Sequence, residues 1–352
     1  MKGLKRFVSL SLATAMIALA AGCNTPPPPS STPPSSSDPA ASTPSGDAKK
    51  YSVGTGAMGG VIYIMGSGWA TVMNDKLAGQ YELTAEQTAG QSANVSMIES
   101  GEVELGVGGT ATLYDAYSGT GSWTNGAKFG KARALFTVAI PNMTPFTLEG
   151  SGIQTLQDLN GKRVSLGPKG ASIDSTFRAI FDKLGITPAV IHNDTWSAAV
   201  TALSDGTTDA IITQQAAPWP SLTELEATKE VSFIQMTDAE LAAIQELFPF
   251  YTPSVIPKGT YKGNADQDIQ TLCEWTMMLA SADLSQEDVY NFMIATFDAR
   301  DDLLLVHPSM STITLENAAK VPVTWHPGAV QYYTEKGINL LEPTAAFIPP
   351  QG

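Results

Sequence analysis

Two kinds of hydrophobic pattern alternate along most of the chain. Short runs rich in β-branched and aromatic residues, each about the length of a strand, are followed by longer amphipathic stretches with apolar residues at helical spacing. The alternation begins at residue 51 and continues into a helical stretch after Ser285. It predicts an α/β architecture with largely parallel sheets. Predicted strands cover residues 51–53, 81–86, 105–107, 163–166, 189–192 and 209–213, and predicted helices cover 60–77, 92–100, 172–184 and 197–203.

The first residues follow a different pattern, typical of an export signal. Basic residues at positions 2, 5 and 6 precede an apolar run over 7–21, which is short for a membrane span and suits a secretory signal. The run ends in LAAGC, and this cysteine after small residues resembles a bacterial lipobox. The resemblance implies cleavage after residue 22 and a diacylglycerol on Cys23. We therefore predict a signal peptide over 1–22 and an extracytoplasmic protein anchored to the membrane through Cys23.

The segment after Cys23 has the composition of a tether. Of the 27 residues from 24 to 50, 18 are Pro, Ser or Thr. Such residues neither pack a core nor propagate a helix, and proline-rich chains favour an extended conformation. Residues 23–50 are therefore predicted to be a linker that carries the folded part.

Charge and cysteine content exclude several classes of function. The formal net charge of −14 repels polyanions, so nucleic-acid binding is not expected. With Cys23 lipidated, Cys273 has no partner for an internal disulfide and is interpreted as a packing residue in the apolar stretch 272–280. Three histidines without metal-ligand spacing, and the absence of serine-hydrolase and phosphate-loop motifs, predict no enzyme activity, no metal site and no cofactor.

Four short, polar, glycine-bearing loops connect predicted strands to predicted helices, over residues 54–60, 88–94, 108–112 and 167–172. Free N–H groups at helix starts attract anions, and ligands of open α/β sheets lie beyond the carboxyl ends of the strands. The first loop contains G-x-G-x-x-G, which leaves an exported nucleotide-dependent enzyme as an alternative. The polar glycine loop after Glu86 is unusual for a dinucleotide site, so a cleft for a small polar ligand is favoured.

Six segments, in this order and spacing, resemble the TAXI branch of TRAP-transporter solute receptors. They are GTGAMGGVIY at 54–63, TAGQSAN at 88–94, SGEVELG at 100–106, LNGKRVSLGP at 159–168, DGTTDA at 205–210 and HPGAVQYY at 326–333.

The resemblance implies a two-lobed periplasmic-binding-protein-like fold of type II, with an interlobe ligand cleft. The expected lobes are residues 51–142 plus 250–352 and residues 143–249. The expected ligand is a small carboxylate or amino acid such as glutamate or 2-oxoglutarate, delivered to an integral-membrane TRAP permease by a monomeric receptor. A receptor that serves a signalling partner is the alternative. Relatives carry Gln-Ser where this chain has Gly109-Thr110, and Gly-Ser where it has Gly90-Gln91, which leaves the ligand identity open.

The candidate ligand-binding residues lie in the four loops, at Tyr63 in the predicted helix after the first loop, and after the strand at 209–213. Their hydroxyl, amide and backbone N–H groups can hold a carboxylate, and Lys169 is the cation that could pair with an anionic ligand. Trp219 could line the site or pack in the core, and a structural hydrogen bond is expected for His326. The candidates are Thr55, Gly56, Ala57, Met58, Tyr63, Gln91, Ser92, Gly109, Thr110, Lys169, Ala171, Ser172, Gln214 and Gln215.

Overall fold

A computed structural model describes residues 48–350 except 59, 170 and 171. The predicted signal peptide, the lipidated Cys23 and most of the predicted linker lie outside these residues. Within them, the strands are β1 Lys49–Gly54, β2 Tyr81–Glu86, β3 Leu105–Gly109, β4 Ala132–Ala139, β5 Pro141–Leu148, β6 Arg163–Ser165, β7 Val190–His192, β8 Ala210–Ala216, β9 Val231–Phe233, β10 Thr252–Ile256, β11 Ile269–Cys273 and β12 Thr276–Ser281. The helices are α1 Val61–Lys76, α2 Gln91–Ser100, α3 Thr110–Ser118, α4 Ser172–Leu184, α5 Trp196–Ser204, α6 Pro220–Leu225, α7 Asp238–Leu247, α8 Gln286–Asp298, α9 Arg300–Val306, α10 Leu315–Ala318 and α11 Pro327–Glu335.

The described strands form two mixed sheets, and the predicted two-lobed α/β fold is confirmed. The first sheet has the order β2-β1-β3-β12-β4, in which β1, β2 and β3 are parallel. The second sheet has the order β10-β11-β5-β8-β6-β7, and β9 pairs with β5. In the second sheet β6 is parallel to β7 and β8, whereas β5 runs against β8.

The chain crosses between the sheets twice, and the two crossings lie side by side. The first crossing is Ile140, the single residue between β4 and β5. The second crossing is Glu274-Trp275, between β11 and β12. Register pairs join the crossings on both sides, with Ala139 opposite Thr276 in the first sheet and Cys273 opposite Asn142 in the second. The Glu274 N–H donates to the Pro141 carbonyl oxygen at 3.1 Å between them. The connection is therefore a pair of hydrogen-bonded strands.

At the second crossing, strand pairing places the boundary between the lobes at a different residue from the one expected. We expected residues 250–352 to belong to the first lobe, but β10 and β11 pair with β5 in the second sheet. The chain returns to the first sheet only at Thr276. We therefore propose lobes of residues 49–139 plus 276–350 and residues 141–273.

The amino end of β1 is held by a buried carboxylate on α8. Asp288 accepts hydrogen bonds from Lys49 Nζ and Tyr51 Oη at 2.7 Å and from Tyr81 Oη at 2.8 Å. Burial opposes ionisation, but these donors outweigh it and lower the pKa of Asp288 to about 2. Lys49 and Lys50 lie in β1, so the predicted linker ends earlier than residue 50.

Apolar side chains from both sheets form the core. Fully buried members include Trp69 and Phe136 in the first lobe and Phe146 in the second. Cys273 is also fully buried, which confirms its interpretation as a packing residue. Of the helices that the structure describes, none is both long and apolar enough to cross a membrane.

Candidate functional site

The four predicted loops all leave their sheets at the ends nearest the crossing. In the first sheet, Gly109 at the end of β3 pairs with Thr276 at the start of β12, so the carboxyl ends of β1, β2 and β3 lie beside the crossing. In the second sheet, Ala216 at the end of β8 pairs with Pro141 at the start of β5. Since β6 is parallel to β8, its following loop also lies at this end. Loops from both lobes therefore converge on the crossing.

Asn94 braces the three loops of the first lobe. It is fully buried in the first turn of α2, and its Nδ2 donates to the carbonyl oxygens of Thr55 at 2.6 Å and Val107 at 2.7 Å. Its Oδ1 accepts from the Thr88 hydroxyl at 2.6 Å. A β-carbon on Gly54 would lie 2.7 Å from that same oxygen, so a glycine at this position leaves room for the Asn94 side chain. The loops after β1, β2 and β3 thus hold one relative geometry.

Thr55 and Thr110 point their hydroxyls at neighbouring backbone. The Thr55 hydroxyl donates to the Glu86 carbonyl oxygen at 2.7 Å, and its side chain is fully buried against Gly66. Thr110 is also fully buried, and its hydroxyl accepts from the Trp275 N–H at 3.2 Å. Ligand contact by these residues stays a prediction, and their observed partners indicate that the side chains shape the loops.

The remaining first-loop candidates differ in exposure. Gly56 is buried, Ala57 is exposed, and the Met58 side chain is 72% exposed. Tyr63 is partly buried in the first turn of α1. The residue before α1, Gly60, supplies no side-chain cap, so backbone N–H groups are available at this helix start. Among the described residues of this loop, Ala57, Met58 and Gly60 are exposed.

Gln91 approaches the third loop and the crossing. A β-carbon placed on Gly109 would lie 2.7 Å from Glu274 Oε1, 2.8 Å from Gln91 Oε1 and 3.0 Å from the Trp275 carbonyl oxygen. Only a residue without a side chain fits there. The structure therefore brings together Gln91 from the second loop, Gly109 from the third and Glu274 from the crossing, while Ser92 is partly buried beside Gln91 at the start of α2.

Gln214 connects the second lobe to this group. Its Nε2 donates to Glu274 Oε2 at 3.1 Å, and its Oε1 accepts from the Tyr251 hydroxyl at 3.0 Å. Gln215, the next residue of β8, is partly buried and lies opposite Asn142. Of the second-lobe candidates, Gln214 is the one bonded to the crossing.

The described residues of the fourth loop are not bonded to that group. Lys169 is exposed, and Ser172 is exposed at the start of α4. No hydrogen bond or ion pair among the described residues joins either of them to Glu274. Gly170 and the candidate Ala171 lie outside the described residues.

Two residues with alternative roles have structural partners. Trp219 is 8% exposed in the second-lobe core, with its ring 5.8 Å from Trp196 and 6.3 Å from Phe146, which favours packing. His326 Nδ1 accepts from the Gly328 N–H at 3.2 Å at the start of α11, the structural hydrogen bond expected for it.

Glu274 is a residue of the candidate site that the sequence analysis did not name. Burial is the largest influence and raises its pKa to about 7, and Asp115 acts in the same direction. The Ala111 N–H and the Gln214 amide act against this rise. The available signal was a single acidic residue inside the buried stretch from Leu272 to Ala280, a position that apolar packing does not explain.

A concave surface lies apart from the loops. It is a groove of about 500 Å³ on the first lobe, lined by Trp325, Val330, Leu341 and neighbours on the C-terminal segment. None of the four loops contributes to its lining. In the part of the chain that the structure describes, no group of three or more His, Cys, Asp or Glu residues is placed to hold a metal ion.

Two α/β lobes joined by paired crossing strands define a two-lobed α/β fold, and polar groups of both lobes meet at the crossing. The chain belongs to the NMT1-like family, whose family model matches residues 53–337.

Solved structures of low sequence identity are similar to the chain. MatC from Rhodopseudomonas palustris with bound malate is 14% identical, with a TM-score of 0.46 over 82% of this chain and 96% of that one. A putative periplasmic sulfonate-binding protein SsuA from Methylobacillus flagellatus is 13% identical, with a TM-score of 0.46 over 82% and 85%. The GlnP substrate-binding domain 2 of Lactococcus lactis is 11% identical, with a TM-score of 0.39 over 77% and 97%.

Proposed function

We propose that the protein is the extracytoplasmic solute receptor of a TAXI-type TRAP transporter. It captures a small carboxylate or amino acid, of the kind of glutamate or 2-oxoglutarate, between its lobes and delivers it to an integral-membrane permease. The family match, the converging loops and the export signal expected at the N-terminus support this proposal. The observation that carries it is the meeting of Gln91, Gly109 and Gln214 at the crossing.

The residues proposed to bind the ligand come from both lobes. Gln91 and Gly109 belong to the first lobe, and Gln214 belongs to the second. A ligand that bonds groups of both lobes stabilises the arrangement in which the lobes are close over one in which they are apart. Free N–H groups at the starts of α1 and α2, where glycines supply no side-chain cap, favour a negatively charged ligand group.

A titration series of small acids tests the proposal. Isothermal titration of the purified protein with glutamate, 2-oxoglutarate and related mono- and dicarboxylates is expected to show saturable binding of at least one. Gln91→Ala is expected to weaken that binding about tenfold, because one polar contact is lost, without lowering the melting temperature by more than a few degrees. Gln157→Ala, at an exposed position of the second lobe, is the matched control and is expected to bind as the unaltered protein does.

Two results would contradict the proposal. If no acid in the series bound, the protein would not be a carboxylate receptor. If an acid bound and Gln91→Ala kept full affinity, the site would lie elsewhere than at the crossing.

A further inference from the structure

Two side-chain oxygens converge near Gly109 in a way that suits a hydrogen-bond donor. Glu274 Oε1 and Gln91 Oε1 both lie within 2.8 Å of the point where a β-carbon of Gly109 would stand. The two oxygens are therefore no further apart than twice that distance. A ligand nitrogen cannot occupy that point, which is within covalent distance of the Gly109 α-carbon, but a donor that approaches the two oxygens from their other side would meet both as acceptors.

These oxygens retain free acceptor capacity. The Glu274 carboxylate accepts from the Gln214 amide through Oε2 and also from the Ala111 N–H. A carboxylate has about four lone pairs, so acceptor capacity remains after these two hydrogen bonds. The Trp275 carbonyl oxygen, the third oxygen around Gly109, accepts from the Thr110 N–H at 2.9 Å and has a second lone pair. The crossing therefore offers acceptors on one side of Gly109.

Glu274 has no cationic partner within the described residues. It belongs to none of their ion pairs. The titratable groups that face it are Asp115 on α3, Tyr251 before β10 and the neighbouring Cys273, and all of them are acids. Ionising a partly buried carboxylate that has no cationic partner costs free energy. A positively charged ligand group at Glu274 therefore binds more favourably than it would beside a carboxylate that already forms an ion pair.

We propose that Glu274 is a specificity-determining residue of the cleft: with the Gln91 amide oxygen it binds an ammonium group of the ligand and rejects acids that lack one. This inference rests on the proposed function, because it assumes that the ligand lies at the crossing. An amino acid gains a charge-assisted hydrogen bond at Glu274. A keto acid of the same carbon skeleton presents a carbonyl oxygen to the same carboxylate, which repels it.

Matched pairs of ligands test this directly. Isothermal titration at pH 8, where Glu274 is ionised, compares L-glutamate with 2-oxoglutarate, L-aspartate with oxaloacetate, and L-alanine with pyruvate. The amino acid of a binding pair is expected to bind at least about tenfold more tightly than its keto acid. In Glu274→Gln the amino acid is expected to lose about 10- to 100-fold in affinity, while the keto acid changes by less than about threefold.

Two further variants make the test independent of one substitution. Gln91→Met keeps the length of the side chain but removes the amide oxygen, and it is expected to reduce the preference for the amino acid severalfold. Glu102→Gln, at an exposed position on the first lobe, removes a carboxylate of equal charge and is expected to leave both affinities unchanged. If Glu274→Gln does not fold, the Gln91→Met result decides.

The possible failures are distinguishable. If keto acids bind as tightly as their amino acids, or if Glu274→Gln and Gln91→Met both keep the original preference, this inference is overturned and the proposed function stands. If no acid of either kind binds, the proposed function is overturned and the inference with it.

Discussion

At the scale of single residues, Glu274 is unusual because it is a carboxylate in a strand crossing that is otherwise buried. Its neighbours Cys273 and Trp275 are 0% and 3% exposed. Apolar surroundings disfavour the ionised form, and the hydrogen bond from Gln214 only partly offsets this. The chain therefore keeps a group at the crossing whose charge is sensitive to pH near neutrality.

We expect Glu274 to make the unliganded protein less stable as pH rises from about 4.5 to 7. The pKa in the folded state is about 7, above the 4.5 of the exposed side chain, so the folded protein binds the proton more tightly. Stability from this group is complete below pH 4.5 and is lost as pH rises through 7, by on the order of 2 kcal/mol for a partly exposed group. The measurement is the free energy of unfolding in urea at pH 5 and pH 8.

Glu274→Gln supplies the comparison, because its side chain does not titrate. The pH 5 to pH 8 difference is expected to be smaller in this variant than in the unaltered protein. An equal difference in both proteins would show that Glu274 ionises normally.

At the scale of elements, the first lobe holds its loops through the amino end of α2 rather than through each loop's own turn. Asn94 bonds the backbone after β1 and in β3, and the side chain of the loop after β2. Gly54 and Gly106 pass close enough to Asn94 that a β-carbon on either would lie within 3.1 Å of its side chain. The three strand ends and α2 therefore act as one unit.

Asn94→Ala is expected to destabilise the protein by roughly 2–4 kcal/mol, since it leaves two buried carbonyl oxygens and the Thr88 hydroxyl without this partner. Chemical denaturation measures the loss. Asn339→Ala, at an exposed position, is the control and is expected to change stability by less than about 0.5 kcal/mol. A loss below 1 kcal/mol for Asn94→Ala would mean that the loops are held by other contacts.

At the scale of the whole molecule, two adjacent strands are the covalent connection between the sheets. The crossings are hydrogen-bonded from Glu274 to Pro141, so the ligand group proposed at Glu274 sits on the connection itself. Contacts at that point belong to both lobes, because Gln214 reaches it from β8 and Gln91 from α2. We therefore expect occupancy of the proposed site and the relative position of the lobes to be coupled.

The whole molecule is also expected to be attached to a membrane through Cys23. In a bacterial host that produces the full chain, labelled palmitate is expected to be incorporated into the unaltered protein and lost in Cys23→Ala, because that thiol is the proposed site of the lipid. Cys273→Ala, which removes the other cysteine, is expected to keep the label. Label retained in Cys23→Ala would exclude this anchor.

Local pattern was sufficient for elements with strong periodicity. The predicted strand 81–86 and the predicted helix 172–184 agree with β2 and α4 at both ends. It was insufficient for β10 and β11, because a strand's pattern shows that it is buried but not which sheet it pairs with. The same limit applies to Thr55 and Thr110, whose place in a loop did not reveal that their hydroxyls bond backbone of neighbouring strands.

The amino-acid sequence by itself determined the α/β alternation, the glycine-bearing loops and their order, since these depend on local periodicity and turn chemistry. Tertiary structure decided which side chains meet. Gln91, Gln214 and Glu274 lie far apart along the chain and come together only because two sheets pair their strand ends at one crossing. The surroundings of Glu274 are likewise a property of that meeting, because its burial, and the lack of a cationic partner among the described residues, depend on the tertiary structure.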